Sequence, residues 1–565
     1  MSETAEGVAP FPLSNLGQYT KAIPMVFPFI IFGARPRYTC RTDFPMALDS
    51  KFPARIRFVC LIPVLGFLTL AAAAPAQSPT PEARTANAFL HARQQGPPAL
   101  YAFFYRMPKG ADLHVHLTGA VYAETWIQEA AEDDDCVSAA RLWIDSANHP
   151  PLCPHGEVPA TGVLSDQQLY DALVDAFSMR AFVPSAGDSG HDHFFDAFGR
   201  FGDDDRFDGD WIDQVASRAA AQNEQYLELM DTPKYASVKA LADKLGWDPD
   251  LEQFRQELLA DPVFRAGVAS SRAVFDTALA RRDRIEHCGQ PDAAPACQVT
   301  VRFLYQVLRG FPPQQVFAQT LLGFEVAAHD PSVVGLNYVM PEDGYIALRD
   351  YSLQMHMLDY LHSVYPGVHI TLHAGELAFG MVPPRDLTFH IREAVEIGHA
   401  ERIGHGVDIM YEDHPWQLMK EMADRHIMVE INLTSNAVIL GISGNQHPFM
   451  LYRQMGVPVA LSTDDEGVSR IDLTHEYVLA ADTYPLTYQD FKLMARTSIE
   501  HAFLPGASLW QRFTPERLDT PVAACRGQLG NARPAGACAT LIRSSQKAQQ
   551  QWELERRFHL FEASF

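Results

Sequence analysis

Residues 109–117 have the sequence KGADLHVHL, and this short apolar segment opens the pattern that decides the fold. Seven further short apolar runs follow it, at 225–230, 299–307, 333–339, 369–373, 402–407, 427–433 and 457–463. Between the runs lie amphipathic segments of helix length, such as 313–329 and 387–400. This repeated alternation of strands and helices predicts an α/β protein with a parallel sheet and crossover helices.

Eight strand–helix units favour a closed barrel over an open sheet. Open α/β sheets that bind dinucleotides usually carry G-x-G-x-x-G directly after a strand, and no predicted strand here is followed by that motif. A single barrel with insertions can exceed about 400 residues, so a length of 565 residues does not require several domains. We therefore predict a TIM-type (β/α)8 barrel with insertions after the first and second strands.

The barrel is predicted to span residues 107–504. The insertion after the first strand, 133–160, is acidic and rich in proline, and the insertion after the second, 236–297, has mostly helical patterning. Residues 77–106 include a polar segment rich in Gln, Ala and Pro, and are predicted to form an N-terminal arm. Residues 505–565 are predicted to be a loop-rich tail with a final helix near 547–560.

Residues 1–76 are predicted to be an N-terminal extension followed by a secretory signal peptide. Basic residues precede an apolar run, 58–74, which is followed by small residues that include Ala74-Pro75-Ala76. A basic flank, a short apolar run and an A-x-A cleavage site are the parts of such a signal. We therefore expect an exported protein, either secreted or periplasmic.

Two alternatives stay open for this N-terminal region. The apolar run is near the lower length limit of a membrane span, so an uncleaved anchor is the alternative to a cleaved signal. Pro63 and Gly66 disfavour a membrane helix. The residues before Met46 match no signal design, so Met46 is an alternative start of translation.

Cysteine spacing supports export. Of the 8 cysteines, Cys40 and Cys60 lie in the N-terminal region, and the others fall in three local pairs, Cys136/Cys153, Cys288/Cys297 and Cys525/Cys538. Each pair brackets a loop rich in Pro, Gly or Ala, where a disulfide restricts the unfolded chain. Many connectivities are open to this number of cysteines, so nearest-neighbour pairing is a hypothesis. No pair has the C-x2-C spacing of a structural zinc ribbon.

The composition is that of a globular protein and restricts its partners. Apolar residues make up 47% of the chain and charged residues 20%, which excludes disordered, collagen-like and coiled-coil chains. Lys and Arg number 45 against 69 Asp and Glu, which gives a net charge of −24. Because such an acidic surface repels phosphate backbones and anionic lipids, we expect no nucleic-acid partner and no stable membrane association after signal cleavage.

Side chains that bind metals and move protons collect at the ends of the predicted strands. His114 and His116 are two residues apart in the first strand, so both rings lie on one face. Further along the chain, strand ends carry His373 with Glu376 close behind it, then His405, and then the pair Asp464 and Asp465. The carboxyl ends of barrel strands are where catalytic groups gather. Histidines together with an aspartate suit Zn²⁺ and leave a coordination position for water, so we predict a zinc-dependent hydrolytic site.

Other histidines have a simpler interpretation. His191 and His193 lie in a segment whose phenylalanines have helical spacing, and two residues apart on a helix the rings diverge. We expect no metal there. His399 and His447 are interpreted as loop or interface histidines.

Four segments together resemble the motifs of adenosine deaminases, in the order that this family has them. They are 107–119 (MPKGADLHVHLTG), 373–376 (HAGE), 402–406 (RIGHG) and 462–465 (STDD). The resemblance extends over about residues 101–504. The export signal, the cysteine-bearing insertion and 434–436 (TSN) are most similar to the secreted branch of the family, the adenosine deaminase-related growth factors.

The resemblance implies a set of residue roles. One zinc ion per chain is held by His114, His116, His373 and Asp464. Glu376 protonates N1 of the purine, His405 orients the attacking hydroxide, and Asp465 contacts N7. The implied reaction is hydrolytic deamination of adenosine or 2′-deoxyadenosine to inosine or 2′-deoxyinosine, with release of ammonia.

Two departures from the family pattern bear on the substrate. Thr118 stands where the family carries an Asp that helps to hold the ribose 5′-hydroxyl. Met340 stands where it carries a small Gly near purine N3, so the Met340 N–H remains available to N3 while the side chain crowds the base. The alternative substrate is therefore a modified or 5′-substituted adenine nucleoside. Binuclear amidohydrolases with a carboxylated Lys fit poorly, because 333–339 contains no Lys.

A second class of function is a secreted, non-catalytic binding or signalling protein on a deaminase scaffold. Such a protein is free to lose catalytic residues, yet every chemical position of the motifs is filled here. The partner we expect is a small purine nucleoside. A homodimer is left open.

Overall fold

An eight-stranded parallel barrel forms the centre of the computed structural model, which describes residues 78–201, 206–233, 235–512, 514 and 518–565. These residues belong to one compact unit, Gln77–Phe565. The predicted signal peptide, Cys40 and Cys60 lie outside the described residues. Within the described part of the chain, no helix is both long and apolar enough to cross a bilayer.

The strands of the described residues form a barrel and one small accessory sheet. In chain order they are β1 (Gly110–His116), β2 (Cys136–Ser138), β3 (Trp143–Asp145), β4 (Glu157–Pro159), β5 (Glu224–Asp231), β6 (Thr300–Leu308), β7 (Val333–Val339), β8 (His369–Ala374), β9 (Arg402–His405), β10 (Met428–Ile431) and β11 (Val459–Leu461). The large sheet has the order β1-β5-β6-β7-β8-β9-β10-β11 with parallel pairing throughout. Each predicted strand is present, and the predicted (β/α)8 barrel is confirmed.

The barrel closes between its first strand, β1, and the segment that follows its last strand, β11. The Asp464 N–H donates to the carbonyl of His114 at 2.8 Å, and the His116 N–H donates to the carbonyl of Asp464 at 3.1 Å. Val115 and Asp464 form a parallel bridge between these two bonds. The barrel is thus joined at the same residues that carry three of the predicted ligands.

Helices surround the barrel and fill the insertions. The helices up to the second insertion are α1 (Pro81–Gln95), α2 (Pro97–Arg106), α3 (Ala123–Glu132), α4 (Ala160–Val163), α5 (Gln167–Ala176), α6 (Gly190–Ala197), α7 (Asp208–Ala221), α8 (Ala236–Leu245), α9 (Leu251–Ala260) and α10 (Pro262–Ile285). The remaining helices are α11 (Pro313–His329), α12 (Tyr345–Val364), α13 (His390–Glu396), α14 (Pro415–Asp424), α15 (Leu433–Ile439), α16 (Phe449–Met455), α17 (Glu466–Ser469), α18 (Leu473–Thr483), α19 (Tyr488–His501), α20 (Gly536–Ser544) and α21 (Gln546–Ala563).

Two helical regions differ from the predictions. Helix α11 has the predicted bounds, but the predicted helix 387–400 is shorter, since α13 ends at Glu396 and His399 takes a left-handed conformation with φ of 55°. The predicted polar arm, 77–106, instead forms the packed helices α1 and α2. The side chains of Phe89, Leu100 and Phe104 are buried there, and the Phe104 ring lies 4.6 Å from that of Phe491. The Gln/Ala/Pro-rich composition of the segment conceals this apolar face.

Two disulfides of the described residues lie in the insertions, and a third lies in the C-terminal tail. Residues 133–160 contain β2, β3 and β4, which form an antiparallel sheet of order β3-β2-β4. Residues 236–297 form α8, α9 and α10. The cysteines pair as predicted, in Cys136–Cys153, Cys288–Cys297 and Cys525–Cys538.

Candidate active site

Four ligand atoms converge at the carboxyl ends of the barrel strands. The Nε2 atom of His373 lies 3.1 Å from Nε2 of His114 and 3.2 Å from Nε2 of His116. Asp464 Oδ1 lies 3.2 Å from Nε2 of both His114 and His116. A tetrahedral zinc ion with bonds of about 2.0–2.1 Å separates its ligand atoms by about 3.3–3.4 Å. The structure thus brings the four predicted ligands to a spacing that fits zinc.

The other ring nitrogen of each predicted histidine ligand meets a side-chain oxygen. Nδ1 of His114 lies 2.6 Å from Glu430 Oε2, Nδ1 of His373 lies 3.0 Å from Asn337 Oδ1, and Nδ1 of His116 contacts Gln306 Oε1. Each oxygen accepts a hydrogen bond from the Nδ1–H group, which leaves a lone pair on each Nε2. Three lone pairs that face each other cannot form hydrogen bonds with one another, so the arrangement fits a cation between them.

Asp464 is held in a strained conformation beside these rings. Its φ is 62°, a left-handed value that costs a non-glycine residue about 1–3 kcal/mol. The Ser435 hydroxyl donates to Asp464 Oδ2 at 2.6 Å, and the other carboxylate oxygen, Oδ1, faces the histidines. Burial raises the pKa of Asp464, but its contacts with the His114 and His116 rings outweigh burial and hold that pKa well below its usual range. The carboxylate is therefore ionised, as a metal ligand must be.

Glu376 is a buried carboxyl group that keeps its proton. Burial is the main cause that raises its pKa well above the usual range, and the charges of Asp464 and Glu342 add to the effect. Glu342 also fixes the backbone here, because it accepts from the N–H of Glu376 at 2.8 Å and from that of Gly375 at 3.1 Å. Glu376 is therefore placed and protonated as a general acid requires.

Asp465 and His405 complete the predicted set. Burial, together with the charge of Asp464, raises the pKa of Asp465 to about 7, so its protonated form is accessible at neutral pH. Burial lowers the pKa of His405 to about 3, so its ring is neutral. Nδ1 of His405 lies 3.4 Å from Glu376 Oε1.

A cavity of about 710 Å³ opens onto this cluster. Of the predicted site residues, those that line it are His116, Met340, His373, Glu376, Asp464 and Asp465, and Thr118 lines it as well. Phe194, Phe195 and Phe198 form an apolar wall from α6 and the residue that follows it. The sequence predicted that helix from its phenylalanine spacing, but no signal in one sequence places it across the barrel mouth.

Met340 adopts a backbone conformation that suits glycine. Its φ is 85°, in the left-handed region, which accounts physically for the small Gly that the family carries at this position. Its side chain packs beside Gly310, where an added Cβ would lie 2.8 Å from Met340 Cε. The side chain thus uses the space that Gly310 leaves, while it still lines the cavity.

The histidines that were not assigned to the site lie elsewhere. His191 Nε2 is 3.1 Å from Asp343 Oδ1, and His193 Nε2 is 3.1 Å from the carbonyl of Asp175. Neither belongs to a cluster of potential metal ligands among the described residues. That this pair holds no metal stays a prediction.

Sequence reasoning missed the residues that orient the ligands. Four side chains hold either the ring of a predicted ligand or the loop that carries Glu376, namely Glu430, Gln306, Asn337 and Glu342. Three of them lie within β10, β6 and β7, and Glu342 follows β7. A charged or amide side chain inside an otherwise apolar strand run is the signal that would have found the first three.

Part of the chain is similar to known deaminases. Residues 265–509, less than half of the chain, match the family model described as adenosine deaminase. An adenosine deaminase from Clostridium perfringens is 33% identical over 138 residues, which are 24% of this chain and 38% of that relative. One from Escherichia coli O7:K1 is 37% identical over 139 residues, with the same two shares of 24% and 38%.

These matches cover little more than a third of the relatives' own length. A solved structure of Arabidopsis ADAL complexed with GMP is 23% identical and covers 71% of this chain and 94% of that one, with a TM-score of 0.47. A TM-score this low carries no weight for function. The similarity to the secreted growth-factor branch of the adenosine deaminase family stays a prediction.

An ion network beneath the predicted ligands links strands β5, β9 and β10 of the barrel. Arg402 is fully buried and lies 2.7 Å from Glu228 Oε2 and 2.6 Å from Glu430 Oε1. Burial raises the pKa of Glu430, but opposing interactions outweigh burial and lower that pKa to about 2. The charge of Arg402 is the largest of these interactions. Glu430 in turn binds the His114 ring, so Arg402 acts on the site through it.

We expect Arg402→Met to lower the free energy of unfolding by about 3–5 kcal/mol, because it leaves two buried carboxylates without a cation. Urea unfolding followed by circular dichroism measures the loss. Arg402→Lys keeps the charge and should lose less. A loss of about 1 kcal/mol or less, as for a surface ion pair, would contradict the importance of this network.

Proposed function

We propose that the chain is a zinc-dependent aminohydrolase that converts adenosine or 2′-deoxyadenosine to inosine or 2′-deoxyinosine and ammonia. One observation carries the proposal: the lone pairs of three Nε2 atoms and an ionised Asp464 oxygen converge beside a protonated Glu376. The match of residues 265–509 to the adenosine deaminase family model supports it. Residues His114, His116, His373 and Asp464 would hold the metal ion.

The roles of the protein groups follow from their protonation states. When bound, zinc lowers the pKa of a coordinated water towards about 7. Glu376 gives its proton to N1 of the purine, which neutralises the charge that develops on the ring as the water oxygen attacks C6. As the C6–N6 bond breaks and the C6–O bond becomes a carbonyl, one proton of the attacking water returns to Glu376 and the other goes to the amino group, which leaves as ammonia. Protonated Asp465 donates to N7, which is an acceptor.

A modified or 5′-substituted adenine nucleoside is the second candidate substrate. Thr118 lines the cavity at the position where the family pattern has an Asp that helps to hold the ribose 5′-hydroxyl. The carboxylate that would make this contact is therefore absent here. The cavity of about 710 Å³ and its wall of Phe194, Phe195 and Phe198 offer apolar space for a substituent. These observations favour a substituted nucleoside over free adenine.

Metal analysis combined with an ultraviolet deamination assay tests the function. We expect one zinc ion per chain and ammonia released in step with the loss of the 6-aminopurine spectrum. The substrates compared are adenosine, 2′-deoxyadenosine, adenine and 5′-substituted adenosines. Stoichiometric zinc without turnover of any of them would overturn the enzyme proposal in favour of a binding protein on the same scaffold.

We expect Met340→Gly to lower the KM for adenosine about 3–10-fold while kcat changes little, because it removes a side chain from the cavity wall. The variant should also gain stability, since glycine accepts a φ of 85° without strain. Steady-state kinetics and thermal unfolding measure the two effects. Met340→Ala also shortens the side chain on the cavity wall but keeps the strained φ. It should therefore match Met340→Gly in KM but should not gain its stability. An unchanged KM in both variants would show that the Met340 side chain does not restrict the base.

We also propose that the protein is exported and that residues 1–76 are removed. The three disulfides support an oxidising compartment. N-terminal sequencing of the extracytoplasmic protein should give Gln77 as the first residue, and an intact apolar run at 58–74 would favour the uncleaved anchor.

A further inference from the structure

A chain of hydrogen bonds leads from His447 to the buried ring of His405. The backbone N–H of Phe449 donates to Nδ1 of His447 at 3.1 Å. Nε2 of His447 lies 3.0 Å from Oδ1 of Asn436. Nδ2 of Asn436 lies 2.9 Å from Nδ1 of His405. All three side chains are buried, so no solvent competes for these contacts.

The first bond fixes the direction of all the others. A backbone N–H can only donate, so Nδ1 of His447 is an acceptor. Burial lowers the pKa of His447 to about 4, so the ring is neutral and its single proton lies on Nε2. That N–H donates to Oδ1 of Asn436, and the amide therefore presents its NH2 group to His405. Nδ1 of His405 accepts, which leaves the proton of the His405 ring on Nε2.

The remaining contacts of His405 agree with this direction. Nδ2 of Asn432 lies 3.4 Å from the same Nδ1 and can only donate. Oε1 of Glu376 also lies 3.4 Å from it but forms no hydrogen bond within the described part of the chain. Nε2 of His405 is buried and has no hydrogen-bond partner among the described residues. Its N–H is thus left for a group that enters the site.

The metal ligands lie beside that ring. A ring nitrogen of His405 lies within 4.8 Å of ligand atoms of His114, His373 and Asp464. The His405 ring centroid is 4.9 Å from that of His114. A water that attacks from this cluster is therefore within reach of the His405 ring.

We propose that His447, acting through Asn436, is a positioning residue that locks His405 in the tautomer protonated on Nε2. His405 then donates a hydrogen bond to the attacking water and does not take its proton. The tautomer itself depends only on the contacts above, whereas its role in turnover rests on the proposed function. His447, expected from the sequence to be a loop or interface histidine, thus has a part in the site.

Imidazole ¹⁵N spectra of the metal-loaded, full-length protein with labelled histidine test the tautomer directly. A protonated and an unprotonated ring nitrogen have separate shifts, and the His405 signals are those lost in His405→Ala. We expect the proton on Nε2 in the unmodified protein. In Asn436→Asp the side chain only accepts, so we expect the proton on Nδ1.

Variants of His447 separate positioning from simple packing. His447→Phe keeps a ring but removes the hydrogen-bond donor to Asn436 Oδ1. The Asn436 amide can then rotate by about 180°, which gives a mixture of His405 tautomers. His447→Gln keeps an N–H near the position of Nε2 and should restore the tautomer. For adenosine, we expect kcat to fall about 10-fold or more in His447→Phe and about 100-fold in Asn436→Asp. KM should change little, and His447→Gln should recover most of kcat.

Two results would overturn the proposal. One is a proton on Nδ1 of His405 in the unmodified protein. The other is a His447→Phe variant whose His405 signals and kcat are both unchanged. Lack of turnover in the unmodified protein would refute the proposed function alone, and the ¹⁵N spectra would still decide whether His447 sets the tautomer.

Discussion

Glu376→Gln is expected to keep its metal ion and to lose turnover of adenosine by about 10²–10⁴-fold. The amide has the same shape as the carboxyl group but gives no acidic proton to N1. Glu376 is not among the four ligand atoms that converge at 3.1–3.2 Å, so zinc content should not change. Metal analysis and steady-state kinetics on one preparation measure both effects.

A control variant distinguishes this loss from a general effect of replacing carboxyl groups. Glu393 lies on α13, where it accepts from the Ser352 hydroxyl at 3.0 Å, outside the site. Glu393→Gln should therefore retain kcat. Wild-type turnover in Glu376→Gln would remove this residue from the mechanism.

The pH dependence of the unmodified protein should report the same group. Burial raises the pKa of Glu376 well above its usual range, so the reactive, protonated form persists at neutral pH. As pH rises through that raised pKa, the proton is lost and kcat/KM should fall. The residual activity of Glu376→Gln should lack this alkaline fall. An identical pH profile in both proteins would contradict the assignment.

Asp464→Ala is expected to lose both zinc and activity, the latter by at least about 10⁴-fold. Asp464 supplies the one charged ligand atom of the set, and without the metal ion the pKa of the attacking water stays near its bulk value of about 15.7. Metal analysis after dialysis and the adenosine assay give the two measurements. Asp464→Asn keeps an oxygen but loses the charge. Its zinc content and activity should therefore lie between those of the unmodified protein and those of Asp464→Ala. Stoichiometric zinc in Asp464→Ala would break the ligand assignment.

Together the two substitutions separate the two halves of the chemistry. Glu376→Gln removes a proton donor from a loaded site, whereas Asp464→Ala removes the ion and leaves the donor. If both variants lost zinc, Glu376 would have to be counted as part of the metal site.

The barrel was predictable because its strands are buried on both faces. Six of the seven residues of β7, for example, are buried, so its sequence, VVGLNYV, is apolar except for Asn337 and does not alternate. The convergence of four side chains was predictable because each lies near the carboxyl end of a strand: His114, His116, His373 and Asp464. The carboxyl ends of parallel strands meet at one rim.

Partners that come from distant strands were not predictable. Nothing in the sequence around His114 indicates that Glu430 will hold its ring, because that contact depends on the register of several intervening strands. The packing of α1 and α2 was hidden for a similar reason, since the residues that cover Phe104 lie on α19. The roles of His447 and Asn436 likewise follow from contacts that no local pattern encodes.

The seam of the barrel has a consequence for synthesis of the protein. The backbone bonds of Asp464 to His114 and His116 join the first strand to a segment made late in translation. A chain still emerging from the ribosome therefore has its histidines long before it has the carboxylate beside them. The set of four converging side chains is therefore complete only when the ring closes, and a fragment that ends before Asp464 lacks the carboxylate.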